Sequence, residues 1–560
     1  MKIFIAQQNY TIADLEGNVK KIVEAINEAK RQMADLVVFS EMSVCGYLPM
    51  DFLFSKNFIE QCLQSVHAIR EASEDIGVIV GAPQINNEAK GKDLFNSAYF
   101  LHNKEIKAIV QKTCLPNYNV FDEYRYFEPA YTWDTIDFKG KKIALTICED
   151  IWNLGENPLY RVCPMDMLMP RKPDLMINIS ASPFDYTHAE SRRTTIKRNV
   201  LKYGLPLIYC NAVGCQTEIV FDGDSLAYDR HGNLCMRLDQ FQEQSKMIQL
   251  SDDGTLEEKV IEPAISAAAQ DFEPLQFIPE LNIDQVHKAI ICGISDYFKK
   301  MGFTKAIIGN SGGIDSAVTI ALACEALGSQ NVLSILMPSQ FSSNHSVTDA
   351  EQLCLNLKSP SHIIPIEKIF QSFITELQPV YNNLPFGIAE ENIQARTRGN
   401  LLMSIANKLG YILLNTSNKS ELAVGYGTLY GDMAGGISVL GDCYKLQVYE
   451  LAKHINSGKE IIPQNIINKP PSAELRPGQL DSQSLPPYPV MDAVLYQYIE
   501  MGKDAHSIIE MGYSSTDVER IVKLINNTEY KRHQFCPIIR ISPKSFGSGR
   551  RMPVVAAYKE

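Results

Sequence analysis

This chain of 560 residues has no C-x-x-C pair, no uninterrupted apolar run approaching about 18 residues and no excess of basic charge. Each absence excludes a class. None of the 13 cysteines falls in a Cys/His zinc spacing, so a zinc scaffold is excluded and reduced thiols in the cytoplasm are expected. Without a long apolar run, no transmembrane helix and no membrane partner are expected. The opening Met1-Lys2-Ile3-Phe4-Ile5-Ala6 turns polar at Gln7-Gln8-Asn9, too soon for a signal-peptide core, and reads as a first strand. Lys plus Arg number 53 and Asp plus Glu 65, a net charge of −12. That excludes a dedicated nucleic-acid binder but not a nucleotide site, which needs only a few local donors. There is no internal repeat. At about 150 residues per domain, the length allows three or four domains, or two large ones.

What is present is an alternation of apolar runs and helix-period stretches. Residues 2–6, 35–40, 76–81, 106–111, 142–147, 175–179 and 205–211 read as strands, and 18–32 as a helix with an apolar stripe. Asp229-Arg230-His231-Gly232-Asn233 reads as a hairpin turn closing the sheet. Residues 251–283, polar and then marked by Pro274 and Pro279, read as a connection. A second α/β unit opens with a helix at 284–301, a strand at 305–308, a glycine turn, a helix at 316–327 and a strand at 331–337. The proline-marked stretch 469–485 reads as a long loop of the kind that serves as a lid.

Three reactive side chains directly follow apolar runs: Glu41, Lys112 and Cys148. Open α/β sheets build their sites beyond strand carboxyl ends, so three such ends in one sheet can converge. The chemistry is coherent: a thiol attacks, a carboxylate takes its proton, and an ammonium stabilises the oxyanion and favours the thiolate. The words Glu41-Met42-Ser43-Val44-Cys45-Gly46-Tyr47, Lys112-Thr113-Cys114-Leu115-Pro116-Asn117-Tyr118, Ile147-Cys148-Glu149-Asp150-Ile151-Trp152 and Asn178-Ile179-Ser180-Ala181-Ser182-Pro183 occur in that order. Together they resemble the nitrilase-type amidohydrolases in the form used as a glutaminase. The resemblance implies an αββα sandwich, with Cys148 as nucleophile, Glu41 as general base and Lys112 as oxyanion support. It also implies Tyr118 and Ser182 as glutamine contacts, with Tyr47 and Glu149 as pocket residues. Where such glutaminases carry Gly-Lys or Gly-Arg, this chain reads Tyr186-Thr187-His188. Either His188 or nearby Arg192 replaces the cation that grips the substrate carboxylate, and His188 is the residue assigned.

The second constellation is Gly309-Asn310-Ser311-Gly312-Gly313-Ile314-Asp315-Ser316, between a strand and a helix. Backbone N–H groups and the helix dipole make such a turn an anion cradle. The plainer alternative is a tight turn leading to a helix capped by Asp315 or Ser316. No Gly-Lys-Ser/Thr follows, so the loop is not of the Walker form. It resembles the S-G-G-x-D-S loop of the ATP pyrophosphatases, which release pyrophosphate and transfer AMP. That loop is shared with GMP, asparagine and argininosuccinate synthetases. The downstream words narrow it: Glu391-Asn392-Ile393-Gln394-Ala395-Arg396, Asn415-Thr416-Ser417-Asn418-Lys419-Ser420-Glu421, Gly441-Asp442-Cys443-Tyr444-Lys445, Pro471-Ser472-Ala473-Glu474-Leu475 and Glu529-Tyr530-Lys531-Arg532. They resemble the NAD synthetases, with a Rossmann-like parallel sheet.

Taken together, residues 1–250, 251–283 and 284–560 resemble the glutaminase domain, linker and synthetase domain of the glutamine-dependent NAD synthetases. The resemblance implies glutamine, deamido-NAD and ATP as substrates, and ammonia passed from one site to the other through a closed channel. It implies Gly309 to Ser316, Thr416 and Lys445 on ATP, and Asp315 and Glu421 on Mg2+. Asn392, Arg396, Glu421 and Lys531 are implied on deamido-NAD, in a homo-oligomer that is a dimer or larger even assembly. Asn310 and Ser417 depart from the commoner residues at their positions. Arg532, Arg540, Lys544, Arg550 and Arg551 are left unassigned.

Overall fold

The computed structural model describes the chain apart from residues 89, 155–157, 258–280, 383, 480, 482–484, 559 and 560. It divides into two compact units, Met1–Ala269 and Gln270–Glu560. Most of the expected connection at 251–283 lies outside the described residues.

In the first unit the elements run β1 (Lys2–Gln7), α1 (Leu15–Arg31), β2 (Leu36–Val38), α2 (Lys56–Glu71), β3 (Gly77–Ile85), β4 (Leu94–His102), β5 (Glu105–Gln111), β6 (Ile136–Phe138), β7 (Lys141–Ile147), α3 (Pro164–Leu168), β8 (Leu175–Ser180) and α4 (His188–Tyr203). They continue with β9 (Leu207–Asn211), β10 (Val213–Gln216), β11 (Ile219–Asp222), β12 (Leu226–Tyr228), β13 (Leu234–Arg237) and β14 (Gln244–Gln249). Twelve of these strands form not one sheet but two of six, ordered β14-β1-β2-β3-β4-β5 and β13-β12-β9-β8-β7-β6, and β10 and β11 pair as a separate ribbon. The 226–238 hairpin is present as β12–β13, but β14, paired antiparallel with β1, is what edges the first sheet.

Strand periodicity explains the layering. Ile3 and Ile5 of β1 join Ile143, Leu145 and Ile147 of β7 and Leu175, Ile177 and Ile179 of β8 in a core between the sheets. The alternate residues Phe4 and Ala6 face α1 and α2, meeting Ile22, Ile26, Val66 and Ile69. On the other side Ala144 and Met176 meet Ile196 and Val200 of α4. The strands are apolar on both faces because both faces are covered, and the result is the αββα sandwich.

The second unit runs α5 (Ile283–Met301), β15 (Ala306–Gly309), α6 (Ile314–Leu327), β16 (Val332–Leu336), α7 (Asn344–Leu357), β17 (Ser361–Ile363), α8 (Glu367–Tyr381), α9 (Ile388–Leu409), β18 (Ile412–Asn415), α10 (Lys419–Val424), β19 (Ile437–Ser438) and α11 (Lys445–Ile455), followed by further helices. Its sheet is parallel, ordered β17-β16-β15-β18-β19. The order reverses between β15 and β18, and ligands of doubly wound sheets bind at such a switch point, beyond the strand carboxyl ends. The glycine turn follows β15, and residues 416–421 follow β18. None of the described helices is long and apolar enough to cross a membrane.

Candidate active sites

In the first unit Glu41 follows β2 and Lys112 follows β5 in one sheet, whereas Cys148 follows β7 in the other. The three meet across the sandwich rather than along one sheet edge. All are buried: 2% of Glu41, none of Lys112 and 4% of Cys148 is exposed. The Lys112 ammonium donates to Glu41 Oε1 at 2.7 Å and to Glu123 Oε1 at 2.7 Å. Tyr47 donates its hydroxyl to the same Glu123 oxygen at 2.6 Å. The Ala181 N–H donates to Glu41 Oε2 at 2.9 Å. Gly81 allows this packing, since a Cβ there would lie 2.3 Å from the Met42 nitrogen, against the turn that presents Glu41.

Cys148 opens a tight turn, Cys148–Ile151, at φ 44°, a left-handed conformation that a cysteine holds only where its surroundings enforce it. Asp150 is the clamp. It accepts from the Ile147 N–H at 3.0 Å, from Thr113 at 3.0 Å and from Cys114 at 2.8 Å, tying the nucleophile's turn to the Lys112 strand end.

The electrostatics differ from the sequence expectation. Burial, and then the Glu41 carboxylate, push the Cys148 thiol well above its ordinary pKa, and Lys112 pulls the other way without prevailing. Lys112 already serves two carboxylates, which outweigh burial and hold its pKa well above the usual lysine value. The resting nucleophile is therefore a thiol beside a base, not a free thiolate. Burial raises Glu123 to about 7 even against Lys112.

Tyr118, partly exposed, donates to Glu149 Oε1 at 2.8 Å, and Tyr160 donates to the same oxygen at 3.3 Å. Burial raises Glu149 to about 7. Ser182 Oγ lies 3.0 Å from His188 Nε2, and the His188 ring stacks on Trp152 at 4.9 Å. Arg192, the other candidate cation, is fully buried and faces away from that role. Its guanidinium binds Asp222 at 2.8 and 2.6 Å and approaches Asp224 at 3.4 Å. Sequence reasoning did not find Glu123, Asn96, Asp150 or Tyr160. Asp150 lay within a quoted word, and Asn96 is a polar residue in an apolar run. Glu123 follows no strand and carries no signal.

In the second unit the glycine turn is shaped by its own side chains. Asn310 Oδ1 accepts from the Gly312 N–H at 3.1 Å, and Ser311 Oγ accepts from Gly313 at 3.2 Å. Gly312 has φ +73°, and a Cβ on it would stand 2.2 Å from the Ser346 carbonyl oxygen. Helix α6 begins at Ile314, with Gly313 as its cap and no side-chain cap bond, so neither Asp315 nor Ser316 caps it. Asp315 instead turns to Lys445, whose ammonium lies 2.5 Å from Asp315 Oδ2 and 3.3 Å from Glu421 Oε1. Asn418 holds both carboxylate residues: it donates to Asp315 Oδ1 at 2.8 Å and accepts from the Glu421 N–H at 2.9 Å. Burial, and more weakly Asp315, raise the Glu421 carboxyl against the pull of Lys445. Two oxygens sharing one ammonium form a donor set that also suits a hard cation. Thr416 is half-buried in the turn between β18 and α10.

Asn392, Arg396 and Lys531 all hold the stretch after α10. Lys531 donates to the Gly425 and Gly427 carbonyls at 2.7 Å each, Asn392 accepts from Thr428 at 2.8 Å, and Arg396 donates to the Leu429 carbonyl at 3.3 Å. Arg396, Phe373, Met403 and Tyr430 line a cavity of about 390 Å³. From the 469–485 loop, Glu474 accepts from Ser343 Oγ at 2.7 Å and Ser346 Oγ at 2.8 Å, at the start of α7 beside the glycine turn.

Two family models match. Carbon-nitrogen hydrolase covers residues 2–255 and NAD synthase covers residues 286–535. The chain is 40% identical to the glutamine-dependent NAD(+) synthetase of Synechocystis sp. over 99% of both proteins. It is 38% identical to that of Thermotoga maritima over 100% of this chain and 99% of the relative. The solved glutamine-dependent NAD+ synthetase of Acinetobacter baumannii, in complex with ADP, superposes with a TM-score of 0.77 at 34% identity, covering 99% of this chain and 98% of that one.

Proposed function

The chain belongs to the glutamine-dependent NAD(+) synthetases, and on that premise we propose how its own residues divide the reaction. It is a ligase that amidates deamido-NAD to NAD, using ATP and the amide nitrogen of glutamine. Cys148 Sγ attacks the glutamine amide carbon, and Glu41 takes the thiol proton. The Lys112 ammonium donates to the oxyanion, and the proton on Glu41 goes to the departing ammonia. Water then cleaves the thioester with Glu41 again as base, releasing glutamate and restoring the thiol. Ser182 and Tyr118 bind the substrate. His188, cationic when protonated, grips its carboxylate, since Arg192 is committed to Asp222 and Asp224.

In the second unit the deamido-NAD carboxylate displaces pyrophosphate from the α-phosphorus of ATP. Ammonia then attacks the activated carbonyl and AMP leaves. Residues 309–316 cradle the pyrophosphate with backbone N–H groups, Thr416 contacts ATP, and Lys445 lies against phosphate. Asp315 and Glu421 would hold Mg2+, which when bound neutralises phosphate charge. Asn392, Arg396, Glu421 and Lys531 border deamido-NAD. The linker runs over 251–283.

The observation that carries this reading is the Lys112 ammonium bound to Glu41 beside a buried Cys148, on the same chain as a switch-point glycine turn. Glutamine labelled with 15N in its amide, incubated with ATP and deamido-NAD, tests it. NAD heavier by one mass unit is expected; unlabelled NAD, or none, would overturn it. Exposed Val380, Leu384 and Ile388, where α8 ends and α9 begins, support a homodimer or larger even assembly. Sedimentation of Leu384→Glu as a smaller species than the parent tests that. Thirteen free cysteines support the reducing cytoplasm.

A further inference from the structure

The residue that completes the first site is Asn96, on β4. It is 1% exposed and sits beside Lys112, whose N–H donates to the Asn96 carbonyl at 2.8 Å. Its side-chain amide donates to Glu41 Oε1 at 2.7 Å and to Glu123 Oε2 at 3.3 Å, while its own Oδ1 has no partner among the described residues. An asparagine satisfied only through its NH2 group is placed for what it donates, not for what it accepts.

The consequence lies in the two oxygens of Glu41. Oε1 accepts both the Lys112 ammonium and the Asn96 amide, whereas among the described residues Oε2 accepts only the Ala181 N–H. A carboxylate oxygen with two donors, one of them cationic, has little lone-pair density left for a proton. Resting on the roles proposed for Cys148 and Glu41, we infer that Asn96 is a positioning residue that makes Glu41 asymmetric, so that Oε2 is the oxygen that takes the thiol proton and returns it to ammonia. The same amide spans the two carboxylates that share Lys112. It keeps Glu123 from rotating onto Glu41 without adding charge to a cluster of one ammonium and two acids. The charged or titratable groups facing this cluster, besides its own Glu41, Lys112 and Glu123, are Tyr47, Cys114, Tyr118, Cys148, Glu149, Asp150 and Tyr160.

Asn96→Leu removes the donor at similar volume, and Asn96→Asp replaces it with a group that donates only when protonated. With glutamine as substrate, N96L is expected to lower glutaminase kcat roughly 10²-fold with KM changed less than about threefold, the scale of a misoriented general base. Ammonia-dependent NAD formation by the same full-length chain is expected to be unchanged. N96D is expected to show a ratio to wild-type activity that rises as pH falls from 8.5 to 6, as the new carboxyl gains its proton. A KM-dominated loss, or N96D activity in constant ratio to wild type across that range, would overturn the inference. If N96L fails to fold, shown by loss of the first unit's thermal transition in a calorimetric scan, the N96D profile decides alone. Cys148→Ala separates the two levels: retained glutaminase there overturns the assignment of the nucleophile itself, whatever Asn96 does.

Discussion

At the scale of single residues, burial decides which charges do chemistry and which hold structure. Arg192 and His188 stand four residues apart at the start of one helix, and the sequence offers no means to choose between them. In the fold Arg192 turns inward to two aspartates, and the His188 ring lies beside Ser182. Arg192→Met would leave Asp222 without its bidentate partner inside the core. It is expected to cost about 3–5 kcal/mol, the range for breaking a buried pair, and to lower the melting temperature of the first unit by about 10 °C. His188→Ala is expected to leave melting unchanged and raise KM for glutamine. A calorimetric scan beside glutamine titrations checks both, and the reverse pattern would exchange the two roles.

Glu149 adds a pH dependence at the same scale. Its carboxyl titrates near 4.3 in the unfolded chain and at about 7 in the folded one. Between those values the native state binds the extra proton, so stability falls as pH rises. The contribution is fully present below about pH 4.3 and is lost as pH passes through 7, at up to about 1.4 kcal/mol per pH unit. Glu149→Gln can still accept from Tyr118 but cannot ionise. Its melting temperature is expected to vary less than that of the wild type between pH 5 and 7. Parallel curves would show that Glu149 is ionised throughout that range. The residues at strand ends, Glu41, Lys112 and Cys148, were legible because position and chemical type agreed. Glu123 and Asn96 were not, because a loop acid and a strand amide acquire meaning only when two sheets close on each other.

At the scale of elements, the sequence made the strands and the glycine turn visible but not their partition. A continuous run of apolar residues reports burial on both faces and says nothing about which sheet receives the strand. That is why the apolar runs alone put the strand ends before Glu41, Lys112 and Cys148 in one sheet, whereas the αββα sandwich that the resemblance implied divides them between two. The glycine turn was more legible, because backbone geometry there is fixed by composition. Gly312 combines φ +73° with a Ser346 backbone oxygen 2.2 Å from where a Cβ would stand, and the residue after it, Gly313, is the cap of α6. Gly312→Ala is expected to lower NAD formation at least about tenfold with glutamine and with ammonia alike, because both routes use ATP. Glutaminase turnover should persist. Calorimetry of ATP binding checks the cause, and undiminished ATP affinity would place the defect elsewhere.

At the scale of the whole molecule, a net charge of −12 sits with two polyanionic substrates because each candidate site holds a buried lysine of its own. Lys112 and Lys445 each stand between two carboxylates. The two sites share a design: a buried ammonium shared by two acids. Their chemistries are complementary, since one releases the nitrogen that the other consumes, and a neutral nucleophile is needed because ammonium has no lone pair to offer. Division of labour between units predicts separable losses. Cys148→Ala removes the only step in which the thiol takes part, so glutamine-dependent NAD formation is expected to fall by at least about 10³-fold, as when a catalytic nucleophile is removed. Ammonium chloride at alkaline pH, where free ammonia is plentiful, is expected to restore synthesis to near the wild-type rate with the same source. Asp315→Ala acts upstream of either nitrogen source and is expected to stop both, while leaving glutamate release intact in the presence of glutamine alone. Measuring glutamate and NAD in the same reaction distinguishes the cases. Equal loss of glutamine-dependent and ammonia-dependent NAD formation in Cys148→Ala would mean that the units do not divide the reaction as their residues do.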